Sequence, residues 1–336
     1  MLKTTGSFAE TTGIHRHQDV FTEVLRALRI SGGVLLREAY QPPWAVKVPG
    51  ADALTKLLGA GSGERVVAFH LVEFGQCEIR PDGGEALLLK AGEMAICFGG
   101  EAHRISQGRG TKPLAIEDLL AGRGNAQRAD HGSPATSTST SLLCGVFTLR
   151  HTDFNPLLTA SPPLLHTSLS KAGEMHNLSG AARLMAEEIE RKSPGSAYVV
   201  ERLLEVLCAE AIRAHLESAS PAEAGWFKGL KDPTVGRAIA AIHAAPGEAW
   251  TVQRLAEQVA VSPSRFAARF AEATGESPMA YVAKWRMSVA CRRLSRSRQA
   301  IEQIASEVGY ESVAAFNRAF RKHLGLPPAA WRARVK

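Results

Sequence analysis

Two stretches of this chain read alike: LAEQVAVSPSRFAARFAEATGESPMAYVAKWRM at residues 255–287 and IASEVGYESVAAFNRAFRKHLGLPPAAW at residues 304–331. Phe266, Phe270, Gly275, Pro278 and Tyr281 recur 50 residues later as Phe316, Phe320, Gly325, Pro328 and Trp331. Upstream, Leu255-Ala256 recurs as Ile304-Ala305 at an offset of 49. Self-similarity of this kind means one supersecondary unit used twice. Each copy reads as helix, turn, helix. Residues 252–259 form the first helix of copy one, with Ala256 small enough for close crossing by a second helix. Ala260-Val261 turns the chain, and Ser262 before Pro263 is an N-cap with proline at the first helical position. Phe266 and Phe270, at i and i+4, share a face directed into the core. Copy two has its first helix at 301–308, Gly309-Tyr310-Glu311 as the turn and Ser312 as the cap. One extra turn residue accounts for the slip from 49 to 50, and Gly309 suits a left-handed turn.

With the aromatic pairs turned inward, Ser264, Arg265, Ala267 and Ala268 face out from the second helix of copy one. Val313, Ala314, Asn317 and Arg318 face out from that of copy two. Such a helix fits the DNA major groove, where arginine pairs bidentately with guanine and asparagine with adenine. Residues 278–295 form a helical connector able to hold two such units against successive groove segments. Its Lys284, Arg286, Arg292 and Arg293 are candidates for the phosphate backbone.

Charge supports this placement. Of the chain's net +7, residues 231–336 carry 17 Lys and Arg against 8 Asp and Glu, a net of +9, while the rest carries −2. A polyanion is therefore expected to meet this segment alone. At 336 residues the chain exceeds one ordinary core, so more than one domain is expected. No signal peptide opens the sequence and no apolar run reaches a membrane span, which points to a cytoplasmic protein without a membrane partner. The odd, scattered set of 5 cysteines fits reduced thiols.

Ahead of the basic segment, residues 19–29 have helical spacing. VVAFHLVEF, CEIRP, EALLLKAGE and MAICFGG then read as strands joined by tight turns, and LLCGVFTL as a returning strand. The polar stretch 121–141, ending in HGSPATSTSTS, reads as a mobile loop. Residues 181–191 and 197–217 are helical. Val200, Leu203, Leu204, Leu207 and Ala211 form a stripe that suits either packing on the β domain or a dimer contact. Residues 225–232 read as a hinge.

The two repeated runs, and residues 232–334 as a whole, resemble the DNA-binding domain of the AraC/XylS transcription regulators. That resemblance implies two helix-turn-helix units sharing a connecting helix, with Ser264, Ala267, Ala268, Val313, Ala314, Asn317 and Arg318 in DNA. It also implies double-stranded DNA, a small-molecule effector, a second copy of the chain and RNA polymerase as partners.

Gly92, Phe98, Gly100 and His103 resemble the second motif of cupin barrels, and His70 stands where the first motif has two histidines separated by one residue. Here the second of that pair is Val72. PPWAVKVPG, AFHLVEFG, KAGEMAICFGGEAHRIS and LLCGVF are similar to the sensor domain of one AraC subgroup. The fold class expected is therefore α+β in two domains: a cupin-like β-barrel with packed helices, then an all-α domain with two helix-turn-helix units. The expected divisions are a sensor at 1–165, a helical dimerisation or linker region at 166–230, and the DNA-binding domain at 231–336. Trp44, His70 and His103 are candidate effector contacts, and His70, His103 and Cys97 a candidate metal set, although no resident cofactor is required. The rival readings are a metal-dependent cupin enzyme fused to a DNA-binding domain, and a DNA-coating protein. The regulator reading assigns no catalysis.

Overall fold

Along the segment expected as strand, residues 64–74, alternate side chains meet two different surroundings, and that division organises the whole N-terminal domain. The computed structural model describes residues 20–61, 63–123, 139–150, 154–168, 176–218 and 225–335. Most of the polar stretch expected as a loop, 124–138, lies outside these residues, as does the start of the chain. In order, the N-terminal elements are α1 (Val20–Leu28), β1 (Ile30–Tyr40), β2 (Trp44–Val48), α2 (Ala51–Leu57), β3 (Glu64–Phe74) and β4 (Gln76–Pro81). They continue as β5 (Leu87–Lys90), β6 (Glu93–Ile96), β7 (His103–Gln107), β8 (Leu114–Ala115), α3 (Ile116–Leu120) and β9 (Thr140–Arg150). After them come α4 (Pro156–Ala160), β10 (Leu165–Ser168), α5 (His176–Arg191) and α6 (Ser196–Ser218).

The strands form two five-stranded sheets, ordered β1-β9-β3-β6-β10 and β5-β4-β7-β2-β8. On β3, Val66, Ala68 and Val72 face the space between the sheets, where they join Trp44, Val46, Ile79, Leu89, Ile105 and Cys144 in one core. Val67, Phe69 and Leu71 face the other way and join a core shared with α1, α6 and the C-terminal helices. Both faces of this sheet are covered, which is why VVAFHLV reads as an unbroken apolar run instead of an alternating one. Close approach is built in with glycine: a Cβ at Gly145 would stand 2.3 Å from the Gly33 carbonyl and 2.7 Å from the Phe69 ring.

Helix α6 packs on this same sheet, and α5 lies against α6. Leu204, Leu207 and Ala211 are fully buried, so the apolar stripe of α6 serves the barrel and is not a free dimer contact. Of the described residues in 166–230, β10 pairs with β6 and α6 lies on β1 and β10, so these elements are packed on the barrel.

The expected hinge is also helix: α7 (Trp226–Lys231) buries Trp226 and Phe227 and runs directly into α8 (Pro233–Ala244). Asp232 caps α8 by accepting from the Thr234 and Val235 amides at 2.9 and 3.0 Å. Its other oxygen accepts from Arg269 at 2.8 Å. The stretch is therefore fixed at both ends by burial and capping. The remaining helices are α9 (Val252–Gln258), α10 (Pro263–Thr274), α11 (Pro278–Arg296), α12 (Ile301–Glu307), α13 (Val313–Leu324) and α14 (Pro328–Val335).

Candidate nucleic-acid interface and interdomain cavity

The two repeated units superimpose in kind as well as in sequence. Pro263 starts α10 after Ser262, and Ser312 caps α13 by accepting from the Ala315 amide at 3.2 Å. Gly275 and Gly325 end these helices in the left-handed conformation, at φ 81° and 74°. Inside, Phe266 and Phe270 stand 5.7 Å apart, as Phe316 and Phe320 stand 5.5 Å apart. Each pair is closed edge-on by an aromatic from the following helix, Tyr281 of α11 or Trp331 of α14. All four phenylalanines are fully buried. In the turns, Gly309 has φ +85°, and Ala260 takes the corresponding left-handed position at +58°. Here the second unit uses glycine where the first strains an alanine.

Burying the aromatics leaves the opposite faces open. Ser264, Arg265 and Ala268 are exposed on α10, with Ala267 half-buried. Ala314, Asn317 and Arg318 are exposed on α13, with Val313 half-buried. Arg321 and Lys322 are exposed further along α13. Their i+3 and i+4 spacing from Arg318 was the available signal for including them in the same stripe.

Of the five basic residues of α11, the four expected as candidates for the phosphate backbone each have a partner within the protein. Lys284 pairs with Glu276 at 2.8 Å. Arg286 donates to the carbonyls of Pro246 at 2.9 Å, Gly309 at 3.1 Å and Glu248 at 2.7 Å, and lies over the Tyr310 ring. Arg292 is largely buried over Trp285 with Glu23 3.7 Å away, and Arg293 pairs with Glu307. The reason is geometric: α11 runs between the two units, so its long side chains reach neighbouring turns, with Arg286 and Arg292 enclosed and Lys284 and Arg293 still 42% and 40% exposed. A helical pattern read alone gives no sign of that enclosure.

The domains meet through shared core. Helix α1 packs against α8, where Glu23 stands 3.5 Å from His243 Nδ1. His243 stacks on Trp285 at 3.6 Å, and its Nε2 lies 2.7 Å from the Tyr281 hydroxyl, which accepts from Trp226 Nε1 at 2.9 Å. Burial holds the pKa of His243 below the ordinary imidazole value, against the opposing pull of Glu23. Beside this contact lies a cavity of about 710 Å³ lined from both domains. Arg65 of β3 and Phe154 face Trp226, Lys284, His323 and Arg334 across it.

Within the barrel, His70 of β3, His103 of β7 and Cys97 just after β6 come together, each at most 6% exposed. Trp44 does not join them. It pairs with Gln107 at the far end of β2, whereas Val48 pairs with His103. Its indole is buried, stacked on Tyr40, and donates to Gln107 Oε1 at 3.1 Å. Glu73 points away from the histidines, to Arg37 at 2.9 Å, as strand alternation requires. Burial, followed by the neighbouring His103, lowers the pKa of His70, and burial pushes the Cys97 thiol up to about 12.

Known proteins match both halves. The cupin family matches residues 19–217, and a helix-turn-helix domain family matches residues 255–334. A putative AraC-like transcription regulator from Streptomyces lividans is 30% identical over 270 residues, covering 80% of this chain and 87% of that protein. The HTH-type transcriptional regulator AlkR of Acinetobacter baylyi is 28% identical over 320 residues, covering 94% and 99%. The RCS-specific HTH-type transcriptional activator RclR of Escherichia coli is 26% identical over 281 residues, covering 82% and 88%. The cupin sheets, the twice-used aromatic helix-turn-helix core and relatives matched along most of their length agree, and the chain belongs to the AraC-type DNA-binding transcription regulators.

Proposed function

We propose that this regulator reads a discrete DNA site mainly through α13, and that a small molecule held between its domains sets the grip. One observation carries the DNA half of this reading. Helix α13 buries Phe316 and Phe320 completely while leaving Ala314, Asn317, Arg318, Arg321 and Lys322 exposed. Asn317 and Arg318 supply adenine- and guanine-type contacts, and Arg321 and Lys322 supply charge for phosphates. Helix α10 offers Ser264 and Arg265 with two alanines, which suits orientation and thymine methyl contact more than hydrogen-bonded readout.

The interdomain cavity supports the effector half. At about 710 Å³ it matches ordinary small-molecule sites, roughly 300–1,000 Å³. Its wall includes Thr274 and Glu276 at the end of the first unit, Lys284 of the connector and His323 of the second unit. A molecule bound there touches the barrel and both DNA-reading units at once. Two arginines on the wall, Arg65 and Arg334, favour an organic molecule with a negative end, while Lys284 is paired there with Glu276 and burial holds His323 below the ordinary imidazole pKa. A second copy of the chain docks on the outer face of α5 and α6, where Leu184, Tyr198, Val199 and Val206 are exposed. The chain acts as a cytoplasmic regulator, not an enzyme.

The test is Arg318→Ala, measured on a site found by genome-wide mapping and on random DNA at one salt concentration. A loss of about 1–3 kcal/mol on the mapped site, with little change on random DNA, is the expected outcome. Equal losses on both would reduce Arg318 to a phosphate contact. For the cavity, Thr159→Trp fills it from the barrel side and is expected to shift affinity for the mapped site. An unchanged affinity would separate the cavity from DNA control.

A further inference from the structure

We propose that His70, His103 and Cys97 form a binding site for one zinc-class metal ion, buried between the two sheets of the barrel. Two imidazoles and a thiol are donors that zinc takes, and the three ligand atoms lie within 4.8 Å of one another. Cys97 Sγ is 3.7 Å from His103 Nε2. Bonds of about 2.3 Å to sulfur and about 2.0–2.1 Å to nitrogen, at a tetrahedral angle, place those atoms about 3.6 Å apart. His70 Nε2 and His103 Nε2 are 2.7 Å apart, where the same geometry asks for about 3.3 Å. A small rotation of one ring closes that difference.

The outer nitrogens match the way ligating histidines are held. His103 Nδ1 faces the Glu101 carbonyl at 3.3 Å, and His70 Nδ1 faces Cys144 Sγ at 3.1 Å. Such partners fix the tautomer that turns Nε2 toward a metal. The metal-free protein is satisfied as well. Cys144 donates to His70 Nδ1, His70 Nε2–H donates to His103 Nε2, and His103 Nδ1–H donates to Glu101. On binding, the His70 proton moves from Nε2 to Nδ1 with Cys144 sulfur as acceptor, and the Cys97 thiol releases its proton to solvent.

This donor set differs from the histidine-rich set of a cupin enzyme, since position 72 is valine and Cys97 takes up the coordination. Because β3 and β7 belong to different sheets, the ion would staple one sheet to the other. Nothing in this inference depends on the effector cavity or on DNA readout.

The test uses untagged full-length protein, stripped with chelator and titrated with Co²⁺ and then Zn²⁺. One equivalent of Co²⁺ is expected to give a thiolate-to-cobalt charge-transfer band and intense tetrahedral visible bands, both erased by Zn²⁺. Cys97→Ser is expected to lose the charge-transfer band and to bind Zn²⁺ at least about 10-fold more weakly. Cys208→Ser, on the buried face of α6 and away from the site, is expected to keep the band. Absence of the band in the parent chain, or its survival in Cys97→Ser, overturns the assignment. Should Cys97→Ser fail to fold, X-ray absorption of the zinc-loaded parent chain decides. One sulfur and two imidazole neighbours support the site, and a shell without sulfur refutes it.

Discussion

Replacing Arg286 with alanine separates two roles that basic residues of a DNA-binding domain are easily confused between. Its guanidinium joins Pro246 and Glu248, in the loop between α8 and α9, to Gly309 in the turn of the second unit. There is no room for anything larger nearby: a Cβ at Gly309 would stand 2.7 Å from Arg286 Nη2. A hydrogen bond to a charged group contributes about 1.5–3 kcal/mol. The bonds to Pro246 and Gly309 are partly buried, whereas Glu248 is reached at the surface and water can replace its partner. Counting the two enclosed bonds, and allowing for partial resolvation of the carbonyls, Arg286→Ala is expected to cost about 2–4 kcal/mol. Four of the five tryptophans, Trp226, Trp250, Trp285 and Trp331, report on this half of the chain, so urea unfolding followed by fluorescence measures the loss. Arg286→Lys should recover only part of it, because one ammonium cannot span three carbonyls. DNA affinity should fall through loosened spacing of the two units, while the slope of log affinity against log salt stays the same. Unchanged stability together with a salt slope reduced by about one would show that Arg286 meets a phosphate, and the clamp argument would fail.

Acid should weaken the junction between the domains at His243. Its folded pKa is depressed, chiefly by burial, so the unfolded chain binds more protons below about pH 6.5 and stability drops as pH falls through that range. The groups facing it are Glu23 from α1 and Tyr281 and Arg292 from α11, and only Glu23 opposes the shift. Between pH 7.5 and 5.5 the parent chain should lose more stability than His243→Gln, by up to about 1.4 kcal/mol per pH unit below 6.5. Parallel urea midpoints for the two proteins would count against the assignment. Ala260→Gly should stabilise the chain by about 0.5–1 kcal/mol by relieving a left-handed alanine, an increase read directly in urea. Val206→Asp, on the exposed face of α6, should abolish the self-association proposed for that face, leaving monomer in sedimentation and the circular dichroism unchanged. A dimer that persists would move the contact elsewhere.

Legibility followed how local the deciding physics is. Both helix-turn-helix units could be read because the phenylalanine pair, the capping serine and the terminal glycine all act within a dozen residues. Their first helices begin and end within a residue of the expected positions, and their second helices start directly after the expected serines. Strands β3, β4 and β9 were legible for the same reason. Strand β1 was not, since it contains Gly32 and Gly33 and all but one of its residues are half-buried, so it shows no clean alternation. Gly32 makes sense only once Leu204 of α6 is seen 3.2 Å from where its Cβ would stand. The α6 stripe likewise gave a helix but not its partner, because periodicity names a buried face and is silent about what covers it.

Among the candidate site residues the same limit acts on charge. Arg318 and Arg286 are indistinguishable as arginines on helices, yet one is exposed and the other is surrounded by three carbonyls from two loops. What separates them is the crossing of α11 between the two units, a long-range property that brings the Pro246 loop and the Gly309 turn within reach of one side chain. That crossing also explains why the connector is the element best placed to transmit a signal. Its Tyr281 and Trp285 hold His243 at the junction with α1, its Lys284 lines the cavity, and its Arg286 sets the spacing of the DNA-reading units. A ligand that shifts α11 against the barrel must therefore move both units together, whereas one that acts inside the barrel alone works through the junction helices, α1 with Glu23 against α8 and α4 against α7.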